Sequence, residues 1–287
     1  GNHLVVLAKN KQGYKNLIKI VSYSWTEGFY GRPRIDKELL EKYKEGLIIS
    51  SACLGGEVSR LIMKGNIQQA EEVALWYKKT FGDDYYLELQ RHKTSAPDAD
   101  RTIYPKQEEV NAVLIEFARK HNIKLIATND VHFVNDVDAE AHDRLICLNT
   151  GSDFDDPNRM RYTKQEWLKT RAEIAQLFAD VPEVMTNTQE IADKVEFYSI
   201  DSKPLMPDFP IPDGFADSDD YLRYLSYRGA IKKYKHRAPE NFFEGRDLEA
   251  MAENPTKEDV ELFRENLDEE VRERIDFELE TVKKMGF

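Results

Sequence analysis

The sequence predicts an α/β fold over its first 135 or so residues and a mainly helical region after them. Three observations lead there. Short, almost continuous apolar runs at Leu4–Ala8, Gly46–Cys53, Tyr85–Gln90 and Ile123–Phe133 have the character of strands buried on both faces. Stretches of helical periodicity separate them, and strands alternating with helices across short loops form a parallel sheet covered by helices. Beyond Asp136 the apolar runs cease and only helical spacing remains.

Taken in order, Leu4–Ala8 is the first predicted strand. Lys9–Gly13 makes a turn, and Tyr14–Trp25 is a helix with Leu17, Ile18 and Val21 on its apolar side. Glu27–Pro33 is a loop, after which Asp36 caps a short helix running through Tyr43. The second strand, Gly46–Cys53, leads through Gly55 and Gly56 into a helix over Val58–Lys64. A longer helix over Ile67–Phe81 buries Ala70, Val73, Ala74 and Tyr77. Tyr85–Gln90 is the third strand, and a helix from Pro105 to His121 places its proline in the first turn. The fourth strand, IKLIATNDVHF over Ile123–Phe133, ends on Asp130 and His132, two apart and so on one side of an extended backbone.

Helices then follow at Ala139–Leu148, Lys164–Lys169, Ala172–Phe178 and Glu183–Val195, with Asp153–Arg161 a charged loop. Four prolines make Pro204–Pro212 an extended linker. Asp219–Lys235 is an amphipathic helix with tyrosines on one side. Lys257–Met285 is one long helical stretch begun by a Thr256/Asp259 capping box. Four strands are half of an eight-strand barrel or most of a small open sheet, and half of a barrel would leave open strand edges, with oligomerisation or partial disorder then expected near residues 1–30.

The 287 residues carry 41 Lys and Arg against 53 Asp and Glu, a formal charge of −12. Such a surface repels phosphate backbones unless basic residues gather locally, so the chain by itself is expected to bind nucleic acid poorly. No apolar run approaches the roughly 20 residues of a membrane helix, and no signal peptide is recognisable, which predicts a cytoplasmic protein without membrane association. Two cysteines, Cys53 and Cys147, are too few for a disulfide framework and are expected to be reduced.

Candidate chemistry collects at the strand ends. His3, Cys53, Asp130 and His132 supply imidazole, thiol and carboxylate, donors that suit zinc and tolerate manganese or iron. Each has an ordinary alternative: His3 as a frayed end, Cys53 as a small buried hydrophobe, Asp130 as a cap. His92 and Glu57 are weaker candidates, because a surface histidine and a carboxylate in a helical first turn are both common. His121, His142 and His236 fall on polar helical surface and receive no role. No phosphate-binding loop, nucleophile elbow, CxxC or HExxH occurs, so a hydrolytic metal site is the one catalytic chemistry these residues support.

Several segments together resemble the C-family replicative DNA polymerases, the bacterial polymerase III alpha subunits. They are HLVVLAKNKQGYKNL (His3–Leu17), GLIISSACLGGEV (Gly46–Val58), IATNDVHF (Ile126–Phe133), DDPNRMRYTKQEW (Asp155–Trp167), AQLFADVPEVMTNTQEIA (Ala175–Ala192) and the MGF ending. The likeness runs along nearly the whole chain. It implies that residues 1–198 are the rear part of a polymerase-and-histidinol-phosphatase (PHP) domain, an incomplete (βα) barrel. Residues 199–287 would then be the start of the palm, mainly helical.

The resemblance also implies that His3, Cys53, Asp130 and His132 match positions of the PHP metal cluster, with zinc or manganese as its metal and magnesium serving the parent polymerase. It implies DNA, deoxynucleoside triphosphates, a proofreading exonuclease subunit and a sliding clamp as partners. The family's H-x-H motif would precede His3 and the polymerase aspartates would follow Phe287. The chain alone is therefore expected to lack polymerase activity and to hold metal weakly. Two other readings compete: a free-standing PHP-type metal phosphoesterase, and a non-catalytic scaffold docking the proofreading subunit.

Overall fold

Four strands form a single sheet in chain order: β1 (Val5–Ala8), β2 (Leu47–Ser50), β3 (Tyr85–Leu89) and β4 (Lys124–Ala127). In the computed structural model, which describes residues 1–205, 207–253 and 255–286, two compact units separate at Ser202/Lys203. The sheet belongs to the first. β2, β3 and β4 run parallel, with Ile49 opposite Tyr85 and Leu87 opposite Leu125.

β1 departs from the expectation on two counts. It pairs antiparallel with β2, Val5 opposite Ser50, and it is an edge strand. An antiparallel edge strand can keep one side wet, so Val5 and Leu7 remain 38% and 41% exposed where burial on both faces was predicted.

Helices α1 (Lys11–Thr26), α2 (Lys37–Lys42), α3 (Glu57–Met63), α4 (Ile67–Phe81) and α5 (Ile103–His121) connect the strands. Asn10 caps α1 through the Gly13 N–H and Asp36 caps α2 through the Leu39 N–H. The α4 stripe is buried as predicted, Ala70, Val73, Ala74 and Tyr77 packing with Leu47, Ile49, Leu87, Leu89 and Leu125 of the sheet. α1 turns differently from the prediction. It buries Gly13, Asn16, Ile20 and Ser24 and leaves Ile18 and Val21 about half exposed, because small residues let the helix lie close to the sheet end.

The chain continues through α6 (Ala139–Thr150), α7 (Arg171–Leu177) and α8 (Glu183–Lys194). The helix predicted over Lys164–Lys169 is absent. Lys164 sits at φ +64°, and the Glu166 carboxylate accepts hydrogen bonds from the Thr163 and Gln165 backbone N–H groups, folding the segment into a turn. Phe133 then pairs with Trp167 as an isolated bridge.

α8 covers the second sheet face, where Ile48, Tyr86 and Ile126 pack with Ile191. Its Asn187 amide donates to the Leu125 carbonyl, and Glu190 accepts from Lys124 Nζ at 2.6 Å and from the Tyr86 hydroxyl at 2.9 Å. At the opposite edge the Glu196 N–H donates to the Lys9 carbonyl.

The second unit begins in the extended proline segment and contains α9 (Ser218–Lys233), α10 (Leu248–Glu253), α11 (Lys257–Glu265) and α12 (Glu269–Met285). Tyr224, Tyr227, Ile231, Phe242, Val260 and Phe263 form its core. The predicted Thr256/Asp259 capping box is present. The single long helix predicted after it is two: Leu267 is buried in the break and Asp268 caps α12 through the Val271 N–H. No helix among the described residues is long and apolar enough to cross a membrane.

Lys124, with Lys194 and the Tyr86 hydroxyl, lowers the Glu190 pKa from 4.5 to about 2. A depressed carboxylate adds stability that is complete above its unfolded value and lost as pH falls through the folded one. Urea unfolding should therefore show Glu190→Gln less stable than wild type at pH 7, with the gap closing between about pH 4.5 and pH 2. A gap independent of pH would exclude this ion pair as its source.

Candidate functional site

The carboxyl ends of β2, β3 and β4 open into one cavity of about 200 Å³, lined among others by Cys53, Gln90, His92, Gln107, Asp130 and Glu166. This is the end at which parallel α/β sheets place their sites. Beneath it lies Glu88, 6% exposed near the carboxyl end of β3. Its carboxylate accepts hydrogen bonds from Ser50 Oγ, from Gln90 Nε2 at 3.0 Å and from Thr128 Oγ1. Its backbone N–H donates to Ser51 Oγ at 2.8 Å. One buried acid thus ties together the ends of three strands.

Cys53 stands on the turn after β2, which requires two glycines for close approach. A Cβ on Gly56 would lie 2.1 Å from the Ser51 carbonyl oxygen, and one on Gly55 would lie 2.8 Å from His3 Nδ1. His3 is joined to this turn by its N–H, which donates to the Gly55 carbonyl at 2.9 Å, and its Nδ1 lies 3.4 Å from Cys53 Sγ. Burial pushes the Cys53 thiol up, aided by the carboxylates of Asp130 and Glu88 and opposed by the Gly55 N–H. Cys53 is therefore a thiol rather than a nucleophilic thiolate near neutral pH.

Asp130 and His132 do not continue the strand. β4 ends at Ala127 and Asp130 has φ +43°, so the D-x-H pair lies on a loop, not on an extended backbone as predicted. Asn129 fixes that loop by donating to the Gln165 and Trp167 carbonyls at 2.8 and 2.7 Å. The His132 N–H donates to the Glu166 carbonyl at 2.7 Å. Asp130 faces the cavity that Cys53 lines, whereas the exposed His132 turns to the Tyr162 hydroxyl, 3.1 Å from Nε2, and to the His142 ring, 5.5 Å between centroids. Burial and the neighbouring His132 lower the His142 pKa.

The weaker candidates resolve differently from one another. His92 is 3% exposed, not a surface residue as expected. Its Nε2 lies 3.2 Å from the Asn129 carbonyl, which only accepts, so Nε2 carries the proton and Nδ1 accepts from the Gln107 amide at 3.1 Å. Both ring nitrogens are committed, and burial holds the imidazole neutral. Glu57 pairs with Lys37 at 2.9 Å and accepts from the Tyr77 hydroxyl at 3.3 Å, a structural role outside the cavity lining.

The donor types at His3, Cys53 and Asp130 suit a metal. Yet among the described residues no group of three or more His, Cys, Asp or Glu side chains is arranged to hold an ion. The described residues do not build a closed metal shell. Sequence reasoning missed Glu166, Tyr162, Gln107 and Asn129. Thr163-x-x-Glu166 has the spacing of a capping box and could have drawn attention to the turn that holds His132. A larger groove of about 610 Å³ in the second unit is lined by paired charges, Lys257 with Asp220 and Arg223 with Asp276.

The PHP domain model matches residues 1–92, which include Cys53 and His92 of the strand-end cavity, so a PHP domain is present. The relatives then make the identity more particular. The chain is 44% identical to the DNA polymerase III subunit alpha of Borreliella burgdorferi, over 82% of this chain and 20% of that protein. It is 36% identical to the corresponding subunit of Thermus aquaticus over 84% of this chain and 19% of that one, and 35% identical to that of Campylobacter jejuni over 99% and 23%. DNA polymerase III alpha subunits are thus homologues over most of the chain, which spans about a fifth of their length.

The far wall of the cavity, Met160–Thr163, is anchored by a buried ion pair. Arg159 clasps Asp143 of α6 through two bonds of 2.5 and 2.6 Å, with side chains 2% and 7% exposed. Asp143→Ala leaves the guanidinium buried and unpaired and should cost about 3–5 kcal/mol in urea unfolding. A loss under about 1 kcal/mol, the range of exposed pairs, would show that this clasp does not hold the wall.

Proposed function

We propose that this polypeptide is part of a replicative DNA polymerase subunit, residues 1–198 being the rear of its PHP domain and residues 199–287 the start of its palm. Homology to polymerase III alpha subunits over 82–99% of the chain, against about a fifth of their length, carries this conclusion. The longer protein would copy DNA from deoxynucleoside triphosphates with magnesium, in the cytoplasm, beside a proofreading exonuclease and a sliding clamp. The PHP part would be a remnant or portion of a metal-dependent phosphoesterase or 3′–5′ exonuclease site. Its contribution from this chain is His3, Cys53, Asp130 and His132, with zinc or manganese as the ion.

The geometry supports a contributing role rather than a complete one. Cys53 and His3 touch and Asp130 lines the same cavity as Cys53, but His132 faces Tyr162 and both His92 nitrogens are taken. A partial shell with undefined geometry binds weakly. Two-metal nucleotidyl transfer needs carboxylates converging on the ions, and no such cluster exists among the described residues.

The purified 287-residue chain should extend no primer on a gel and should lose zinc on dialysis, as read by elemental analysis. Processive synthesis would overturn the proposed inactivity. Stoichiometric zinc retained after dialysis would overturn the partial-shell assignment.

A further inference from the structure

Charge is distributed unevenly along this acidic chain. Between residues 9 and 34 six side chains are basic and one, Glu27, is acidic, against −12 for the whole. The segment comprises α1 and the loop after it. Lys11, Lys15 and Lys19 recur every four residues, so they form one stripe along α1. Ile18, Val21 and Trp25 form a second stripe beside it, and both lie opposite the buried Gly13, Asn16, Ile20 and Ser24. Among the described residues none of Lys11, Lys15, Lys19, Arg32 and Arg34 is ion-paired, in a protein with many such pairs.

The same surface is aromatic. Trp25 is 59% exposed and stacks on Phe29, 53% exposed, with 5.5 Å between centroids and 18° between planes. Tyr30 is 80% exposed and Arg34 sits 5.6 Å from its ring centre. Exposed rings are costly in water unless something covers them, and three in a row beside unpaired cations is the composition of a stacking platform. A polyanion with accessible flat bases satisfies both halves: phosphates meet the lysine stripe and bases stack on the rings. A duplex hides its bases, and an apolar protein partner would leave the cations unanswered.

We propose that the exposed face of α1 and the loop through Arg34 bind single-stranded nucleic acid. Trp25, Phe29 and Tyr30 stack the bases, and Lys11, Lys15, Lys19, Arg32 and Arg34 neutralise the backbone. This surface does not depend on the chemistry of the strand-end cavity, and it goes beyond the polymerase assignment. The expectation of poor binding drawn from net charge carries a condition, that basic residues are not gathered locally, and residues 9–34 gather them.

Fluorescence anisotropy of labelled oligo(dT) and oligo(rU) with the 287-residue chain tests it. Binding should weaken as salt rises, with a log–log slope no steeper than about −3.5 for five cations at about 0.7 each. Trp25→Ala with Phe29→Ala should weaken binding about ten-fold or more, the loss of one or two stacked bases. Lys15→Glu with Lys19→Glu should weaken it similarly and flatten the salt slope, while Lys79→Glu on the exposed side of α4 should change it less than about two-fold. All of these side chains are exposed, and unchanged thermal unfolding confirms that the variants fold.

Equal affinity for a duplex of the same length would overturn the stacking role. Indifference to both double variants would overturn the site. Self-association that Trp25→Ala abolishes, with oligonucleotide binding unaltered, would assign the face to a second copy of the chain instead. The outcome is separate from primer extension and dialysis, so each proposal can fail alone.

Discussion

The first unit depends on satisfying one buried carboxylate. Glu88 is buried near the carboxyl end of β3, where an unpartnered acid would cost several kcal/mol. Among the described residues no cation pairs with it; neutral donors from β2, from the end of β3 and from the residue after β4 surround it instead. Ser50, Gln90 and Thr128 are therefore fixed relative to one another, and so are the segments that follow them. Those segments carry Cys53, His92 and Asp130. A fully satisfied buried network is stiff, and removing one donor leaves the remainder exposed to the desolvation penalty of the acid. The cavity owes its shape to this polar floor as much as to the apolar core under it.

Above that floor, placement passes from strands to loops, and each loop is held by hydrogen bonds that leave little freedom. The 129–134 segment runs beside 163–168, tied by Asn129, by the His132 N–H and by the Phe133 bridge. The preceding wall is clasped to α6 by Arg159 and Asp143. Asp130 and Ala52, both at positive φ, carry local backbone strain next to the cavity. Strain of this kind persists only where the surroundings over-determine it, which here they do.

Much of the fold could be read from the residues, for identifiable reasons. β2, β3 and β4 are mostly apolar and almost wholly buried, with Ser50 and Glu88 as polar exceptions, and α4 has a clean 3.6-residue period and the predicted bounds. The errors have a common cause. β1 is apolar but lies at an edge, Lys164–Lys169 has helical composition but a competing carboxylate, and Lys257–Met285 has one period interrupted by a local cap. In each case a side-chain hydrogen bond or a sheet position decided the outcome, and neither has a periodic signature. The site divides the same way: Cys53 and Asp130 were legible as donors at strand ends, whereas the burial of His92 and the turning of His132 toward Tyr162 depend on Gln107, Asn129 and Glu166, which are distant in sequence.

Net charge is a coarse guide to any one face for a related reason, since it sums groups that do not act together. Salt attenuates a charge over a Debye length of about 8 Å at physiological ionic strength, whereas four residues of helix rise only about 6 Å. Lys11, Lys15 and Lys19 lie within that reach of their neighbours and reinforce one another. Acids beyond it contribute to the −12 but little to the potential above α1. Aromatic exposure sharpens the contrast. Trp25 stands outside the inward face of α1, which is Gly13, Asn16, Ile20 and Ser24, and Phe29 follows in the loop. Gly13 seats α1 against the Gly46 carbonyl, where a Cβ would lie 1.9 Å from the oxygen, and this fixes which side of the helix faces out. The packing that seats the helix thus sets Trp25 at the surface beside the cations.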